Sequence, residues 1–246
     1  MRGAEADGRG AGRRNFNKRG KSEMNRIRTI VAVGAMLALG GGAAGAAVAI
    51  QSHVVPVGGK VAGTGYAFWL KWQWQDQFSH KPPYQKCQTV DVSGHKVGYL
   101  GVKTVAPGAN RATCTEPVGR PLYIIQTSAE CSTFKGDHLT FGTSDSQLVK
   151  CAKAELQGVN PTYHTTVDGR AVNVMKLATG TTAYPVVNVP GNFVKVSKRT
   201  KGRSAAYGPG LLLTGLSKGT HVVKGTTKIT QPVVTTWTYD WTINVK

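Results

Sequence analysis

The chain has 246 residues, of which 40% are hydrophobic and 17% charged, and its formal net charge is +19. If the first 49 residues are removed, 197 remain, enough to bury roughly 70% of the unfolded surface in a real core. Sparse charge with 31 glycines and many Thr and Val argues against disorder over that stretch and favours strands and turns over helices.

Residues 1–23 are polar, Gly-rich and basic without periodicity. They read as a basic disordered extension: a long n-region, or the product of a start assigned too early, Met24 being the better one. Residues 24–49 read as a signal peptide. Arg26 and Arg28 supply the positive n-region, residues 30–39 the apolar h-region, and Ala47-Val48-Ala49 the small-residue cleavage pattern, with the cut before Ile50. The rival reading is an uncleaved anchor over residues 30–50, about the length of a membrane helix. No Cys follows the h-region and no apolar segment closes the sequence, so neither a lipid anchor nor a C-terminal anchor is expected. The expected localisation is therefore secreted or extracellular, or membrane-anchored through 30–50.

Residues 50–65 are a Gly/Val-rich stretch expected to be a flexible leader, and residues 66–246 a single β-rich domain. Residues 66–78 fit two periods. Phe68, Leu70, Trp72 and Trp74 alternate as on a strand, while Tyr66, Trp69, Leu70 and Gln73 share a helical face. Pro82-Pro83 enforces an extended linker after them. Residues 97–102 and 121–125 are short apolar runs that read as buried strands. Residues 145–156 read as a helix, with Ser146 as cap and Leu148, Val149, Ala152 and Leu156 as its stripe. Residues 165–172 read as a hairpin through Asp168-Gly169. Residues 184–196 read as two extended pieces broken at Pro190-Gly191.

Residues 195–203 hold Lys195, Lys198, Arg199, Lys201 and Arg203, and with Gly202 they suggest a mobile basic loop. Residues 210–214 and 220–224 read as strands around a turn at 216–219. The strongest periodic signal closes the sequence. Val233, Thr235, Trp237, Tyr239, Trp241, Ile243 and Val245 alternate with polar residues, a half-buried antiparallel strand expected to bend or bulge because of its length.

Cys87, Cys114, Cys131 and Cys151 are the four cysteines. None forms a Cys-x-x-Cys pair, and an even number in an exported chain implies two disulfides rather than a metal site or free thiols. Sequential pairing, Cys87–Cys114 and Cys131–Cys151, closes the shortest loops and is expected. The whole pattern predicts a mainly β fold, a β-sandwich of jelly-roll or immunoglobulin-like kind, with one or two short helices and two disulfides.

Several motifs occur in a characteristic order: Trp69-x-x-Trp72-x-Trp74, the Cys87 segment, Val97-Gly-Tyr-Leu-Gly101, Cys114-Thr-Glu-Pro-Val-Gly-Arg-Pro-Leu-Tyr123 and Glu130-Cys131-Ser132. Val167-Asp168-Gly169 and the stretch from Tyr207 to the Leu216-x-x-Gly219-x-His221 turn-strand follow. In these the chain resembles a family of uncharacterised secreted bacterial proteins, over nearly all of residues 50–246. The resemblance implies secretion, a β-rich fold and a helix over residues 68–78; it implies no activity.

No catalytic signature is present: no His-Glu-x-x-His, Gly-x-Ser-x-Gly or Ser-x-x-Lys. Glu116 and Glu130, each near a cysteine, are the best carboxylate pair for a glycosidase-like hydrolase; strand ends meeting solvent are the simpler account. Asp137-His138 is a poor metal site, since adjacent residues rarely share one ion. His221 is expected to pack or to bond a backbone carbonyl. No cofactor and no metal are expected.

Residues 50–246 carry 22 basic and nine acidic residues, a balance of +13, which favours anionic surroundings without naming a partner. Candidate ligand contacts are Trp69, Trp72 and Trp74, by stacking, and Lys195, Lys198, Arg199, Lys201 and Arg203, by charge. The leading expectation is a secreted, non-catalytic domain associated with the cell envelope through an anionic wall polymer or a membrane surface. The alternative is a secreted hydrolase of unfamiliar type acting on extracellular polymer, through Glu116, Glu130 or Asp137. Nucleic acid is the least expected partner.

Overall fold

The computed structural model describes residues 53–84, 86–102, 107–135, 141–230, 232 and 234–246. The extension 1–23, the signal peptide, its cut, and Asp137-His138 lie outside the described residues.

Residues 66–79 resolve as a helix, α1 (Tyr66–Ser79). Trp69, Leu70, Gln73, Trp74, Gln77 and Phe78 are buried, positions that recur at the helical period and not at the strand period. The helix is covered on two sides. Tyr66 and Trp69 join the main core, while Leu70, Trp74 and Phe78 join a second cluster with Tyr184 and Val186. His80, in extended conformation, ends it ahead of Pro82-Pro83. Residues 53–65, expected as a flexible leader, instead run against the core. Val54 bridges to Leu213, the Val55 amide donates to the Leu212 carbonyl at 3.0 Å, and the Tyr66 hydroxyl donates to the Val55 carbonyl at 2.5 Å.

In chain order the strands are β1 (Cys87–Val92), β2 (His95–Leu100), β3 (Gly108–Glu116), β4 (Leu122–Ile125), β5 (Ala129–Ser132), β6 (Thr162–Val167), β7 (Arg170–Val172), β8 (Thr179–Gly180), β9 (Tyr184–Asn188), β10 (Thr200–Gly208), β11 (Gly210–Leu213), β12 (Gly219–Ile229) and β13 (Thr235–Val245). A second helix, α2 (Asp145–Gly158), follows β5, and a 3-10 turn (Val174–Leu177) follows β7. The fold is mainly β, as the composition and turn spacing predict.

Three sheets form. The first has order β1-β2-β4-β11, the second β3-β13-β12-β6-β7, and the third β5-β10-β8 with β9 also on β10. Strands β4 and β11 are buried at every position, because the first sheet is covered on both faces. On one side Tyr123 stacks on Trp69 of α1 at 5.7 Å and Tyr99 meets Trp72 edge-on at 4.6 Å. Alternation along β4 turns Leu122 and Ile124 the other way, into the core they share with Val223, Trp241, Ile243 and Val245 of the second sheet. Trp241 alone, fully buried, contributes about 2–3 kcal/mol of apolar burial.

In β13, Tyr239, Trp241, Ile243 and Val245 are buried and the alternate residues are not, as the closing periodicity predicts. Its neighbours differ in sense: β12 is antiparallel and β3 parallel. Both registers run unbroken from end to end, so the expected bulge is absent. Asp168 and Gly169 both have positive φ, 48° and 77°, and turn β6 into β7 as the Asp-Gly signal predicts.

Cys87 pairs with Cys114, tying the first sheet to the second, and Cys131 pairs with Cys151, tying β5 to α2. Two such bonds point to an oxidising compartment. Helix α2 begins at Asp145 as expected, but its cap lies two residues before Ser146. Ser144 is the cap, receiving the Gln147 amide at 3.3 Å, while the Gln147 side chain accepts from the Ser144 amide at 3.1 Å. This reciprocal box satisfies two orphan donors at once. Leu148, Ala152 and Leu156 face inward, whereas Val149 is exposed. Among the described residues, no helix is long and apolar enough to cross a membrane.

Candidate functional site

The three tryptophans of α1 separate. Trp69 is fully buried against Tyr123, and Trp72 packs on Tyr99; both belong to the core. Trp74 projects to the other side. Its indole N–H donates to Ser128 Oγ at 3.1 Å, and its ring lies 5.7 Å from that of Phe193. Trp74 lines two adjoining recesses, of about 90 Å³ and about 280 Å³, which share Trp74, Thr127, Ser128 and Trp237 in their walls. Of the stacking candidates, Trp74 is the one that lines these recesses. Trp237 and Phe193 stand with it there; the sequence gives no sign of this, because Trp237 reads only as one step of the β13 alternation.

The basic stretch is not a loop throughout. Lys201 and Arg203 lie on β10, which starts at Thr200. Pairing of β10 with β5 sets Ser204 opposite Ser132, and the Thr133 amide donates to the Arg203 carbonyl at 2.9 Å. That register carries Lys135 to the basic stretch. Lys135, Lys195, Lys198 and Lys201 line one open concavity of about 380 Å³, together with Thr133, Phe134, Val196, Ser197 and Thr200, and among the described residues no carboxylate shares the wall. Lys135 lies some sixty positions away in the sequence, so no spacing rule exposes it. Arg199 is exposed outside that wall. Arg203 is engaged elsewhere: its Nε and Nη2 donate to the two Asp145 carboxylate oxygens at 2.6 and 2.7 Å.

Glu116 and Glu130 are held apart in role and place. Glu116 ends β3 and receives Arg120 Nη1 at 3.0 Å; burial pushes its carboxyl pKa up, and Arg120 only partly offsets this. Glu130, on β5 of another sheet, accepts the Ser204 hydroxyl at 2.7 Å. Glu130 lines the larger aromatic recess, and Glu116 lines neither recess. His221 does bond a backbone carbonyl, that of Ser217, at 2.9 Å, and also meets Asp168 at 2.8 Å. Among the described residues, no three His, Cys, Asp or Glu side chains converge as metal ligands.

No protein-family model matches the chain, and no curated protein matches it. A solved structure described as "Solution Structure of Amebosin" aligns at 13% identity, over 56% of this chain and 96% of that one, with a TM-score of 0.21. A likeness that low bears on neither the fold nor the function. The geometry therefore stands by itself: a lysine-lined concavity on β10 and its preceding segment, and an aromatic recess beside α1.

Proposed function

We propose that this chain is an exported, non-catalytic binding domain of the cell envelope, and that it holds an anionic polymer in the concavity formed by Lys135, Lys195, Lys198 and Lys201. The carrying observation is that these four ammonium groups share one wall, with no acid among the described residues that line it. Their mutual repulsion is relieved by a polyanion, and the attraction is long-ranged at low salt. The signal-peptide pattern, the two disulfides and the resemblance to a secreted bacterial family support the compartment. The hydrolase alternative draws less support, since Glu116 and Glu130 are each spent on a different partner.

Retention of the purified chain on teichoic acid or on anionic vesicles tests the reading, with neutral vesicles as the blank. Binding at low salt is expected to vanish near about 1 M salt, where the screening length is about 3 Å. A Lys195→Glu/Lys198→Glu/Lys201→Glu variant that folds and is retained as strongly as the parent defeats the proposal.

A further inference from the structure

The aromatic recess has walls of a different character from the lysine concavity. Its outer part, about 280 Å³, lies at the small end of ligand pockets, which begin at roughly 300 Å³. Trp74, Phe193 and Trp237 supply rings there, and Leu156, Val159, Pro161 and Ile229 supply aliphatic surface. The ring geometry is set in advance: Phe193 packs on both Trp74 and Phe78, at 5.7 and 4.9 Å, and Ser128 fixes the indole of Trp74.

The inner part, about 90 Å³, is where polar groups gather. Most are already engaged. Gln73 accepts the Tyr123 hydroxyl at 2.9 Å and donates to Ser128 at 3.2 Å; Gln126 donates to the Ile125 carbonyl and accepts from Thr165. Two capacities are left. Ser128 Oγ accepts from both Trp74 and Gln73, which leaves its own proton to be donated. Gln77, about 2% exposed, lines the inner part, and its Oε1 is buried with no hydrogen-bond partner. An acceptor left that way costs about 1–3 kcal/mol, which a ligand donor would recover.

Charge narrows the class further. Glu130 and Glu155 are in the outer wall and, among the described residues, no Lys or Arg lines either part, so an anionic head is disfavoured. A saccharide fits poorly, because the aliphatic wall would strip its hydroxyls of water and return no hydrogen bonds. We propose that this recess binds a compact neutral amphiphile, its apolar body between Trp74, Phe193 and Trp237 and its single hydroxyl or N–H head toward Ser128 and Gln77. The site is separate from the polymer-binding reading and does not rest on it.

The neutral dye N-phenyl-1-naphthylamine, an apolar body with one N–H, is the probe. Titrated into the full chain, it is expected to bind saturably at one site, with energy transfer from tryptophan. Val159→Trp and Ile229→Trp each fill the recess from its rim and are expected to abolish that site; two positions are used so that one misfolded variant does not decide. Gln77→Leu is expected to weaken binding about 5- to 10-fold by removing the acceptor. Lys195→Glu/Lys198→Glu/Lys201→Glu is expected to leave it unchanged. Non-saturable uptake, or saturable uptake that survives both filling variants, overturns the proposal. So does equal affinity for the anionic dye 1-anilinonaphthalene-8-sulfonate, or displacement by cellotriose at about 10 mM, a saccharide in the range of weak binding.

Discussion

His221 and Asp168 close the end of the second sheet together: Nδ1 lies 2.8 Å from Oδ2, while Nε2 faces the Ser217 carbonyl at 2.9 Å. Both ring nitrogens thus face acceptors, which only the doubly protonated imidazolium satisfies. Burial opposes that charge, but the hydrogen bonds to Asp168 and Ser217 and the Asp168 charge outweigh it, so the pKa is raised above the ordinary histidine value. A raised folded pKa gives stability that is complete below the unfolded pKa of about 6.5 and is lost as pH rises through the folded value. His221→Gln is therefore expected to be less stable than the parent by about 1 kcal/mol at acidic pH and by less at alkaline pH. Urea unfolding at both ends of that range measures it; a gap that widens with pH refutes the assignment.

Gly210 is required by Tyr123. A Cβ on Gly210 would lie 2.5 Å from Tyr123 Cε2 and 2.7 Å from its hydroxyl. The ring has nowhere to go, stacked by Trp69 and Tyr99 and held by Gln73. Gly210→Ala should lower stability by about 1–3 kcal/mol through overpacking. The denaturation midpoint should fall with little change in slope.

The disulfides close loops of 27 and 20 residues in sequence. Unfolded-chain entropy assigns about 3 kcal/mol to each. Cys87→Ser/Cys114→Ser and Cys131→Ser/Cys151→Ser variants should each lose that order of stability under non-reducing conditions. Because the first joins two sheets and the second joins α2 to β5, the combined losses should be close to additive. Thermal unfolding of the three variants checks both statements.

The Arg203–Asp145 pair has good bidentate geometry but is about half exposed on both sides. Its coupling in a double-mutant cycle should stay below about 1 kcal/mol and shrink with salt. Arg203→Ala should also leave polymer retention nearly unchanged, since this guanidinium is already matched by a carboxylate. A loss of retention equal to that of the lysine variant would move Arg203 into the site.

Where the sequence was readable, a single face was buried. β13 alternates because one side meets the core, and Asp168-Gly169 fixes a turn through local backbone preference. α1 was ambiguous because it is covered on two sides. Gln73 and Gln77 stand among its buried residues, so hydropathy loses the helical stripe. Ser144 and Ser146 both offer a capping hydroxyl, and Gln147, three residues after Ser144, is the signature of the box that forms. The candidate sites were less legible still. Lys135 reaches Lys195, Lys198 and Lys201, and Trp237 reaches Trp74, only through strand pairing, which no local pattern encodes. Trp69 and Trp72 share a motif with Trp74, yet helical rotation sends them into the interior.

The placement of β13 has a consequence for assembly order. This segment lies between β3, some 129 positions earlier in the sequence, and β12. Until it docks, β3 has no neighbour in its own sheet, and the apolar side of the first sheet that Trp241 covers stays wet. Cooperative closure must therefore wait for residues 235–245, and contacts so distant along the chain make a slow folder. Removing residues 235–246 should thus leave an open intermediate with exposed strand edges, prone to self-association, rather than a slightly smaller native protein.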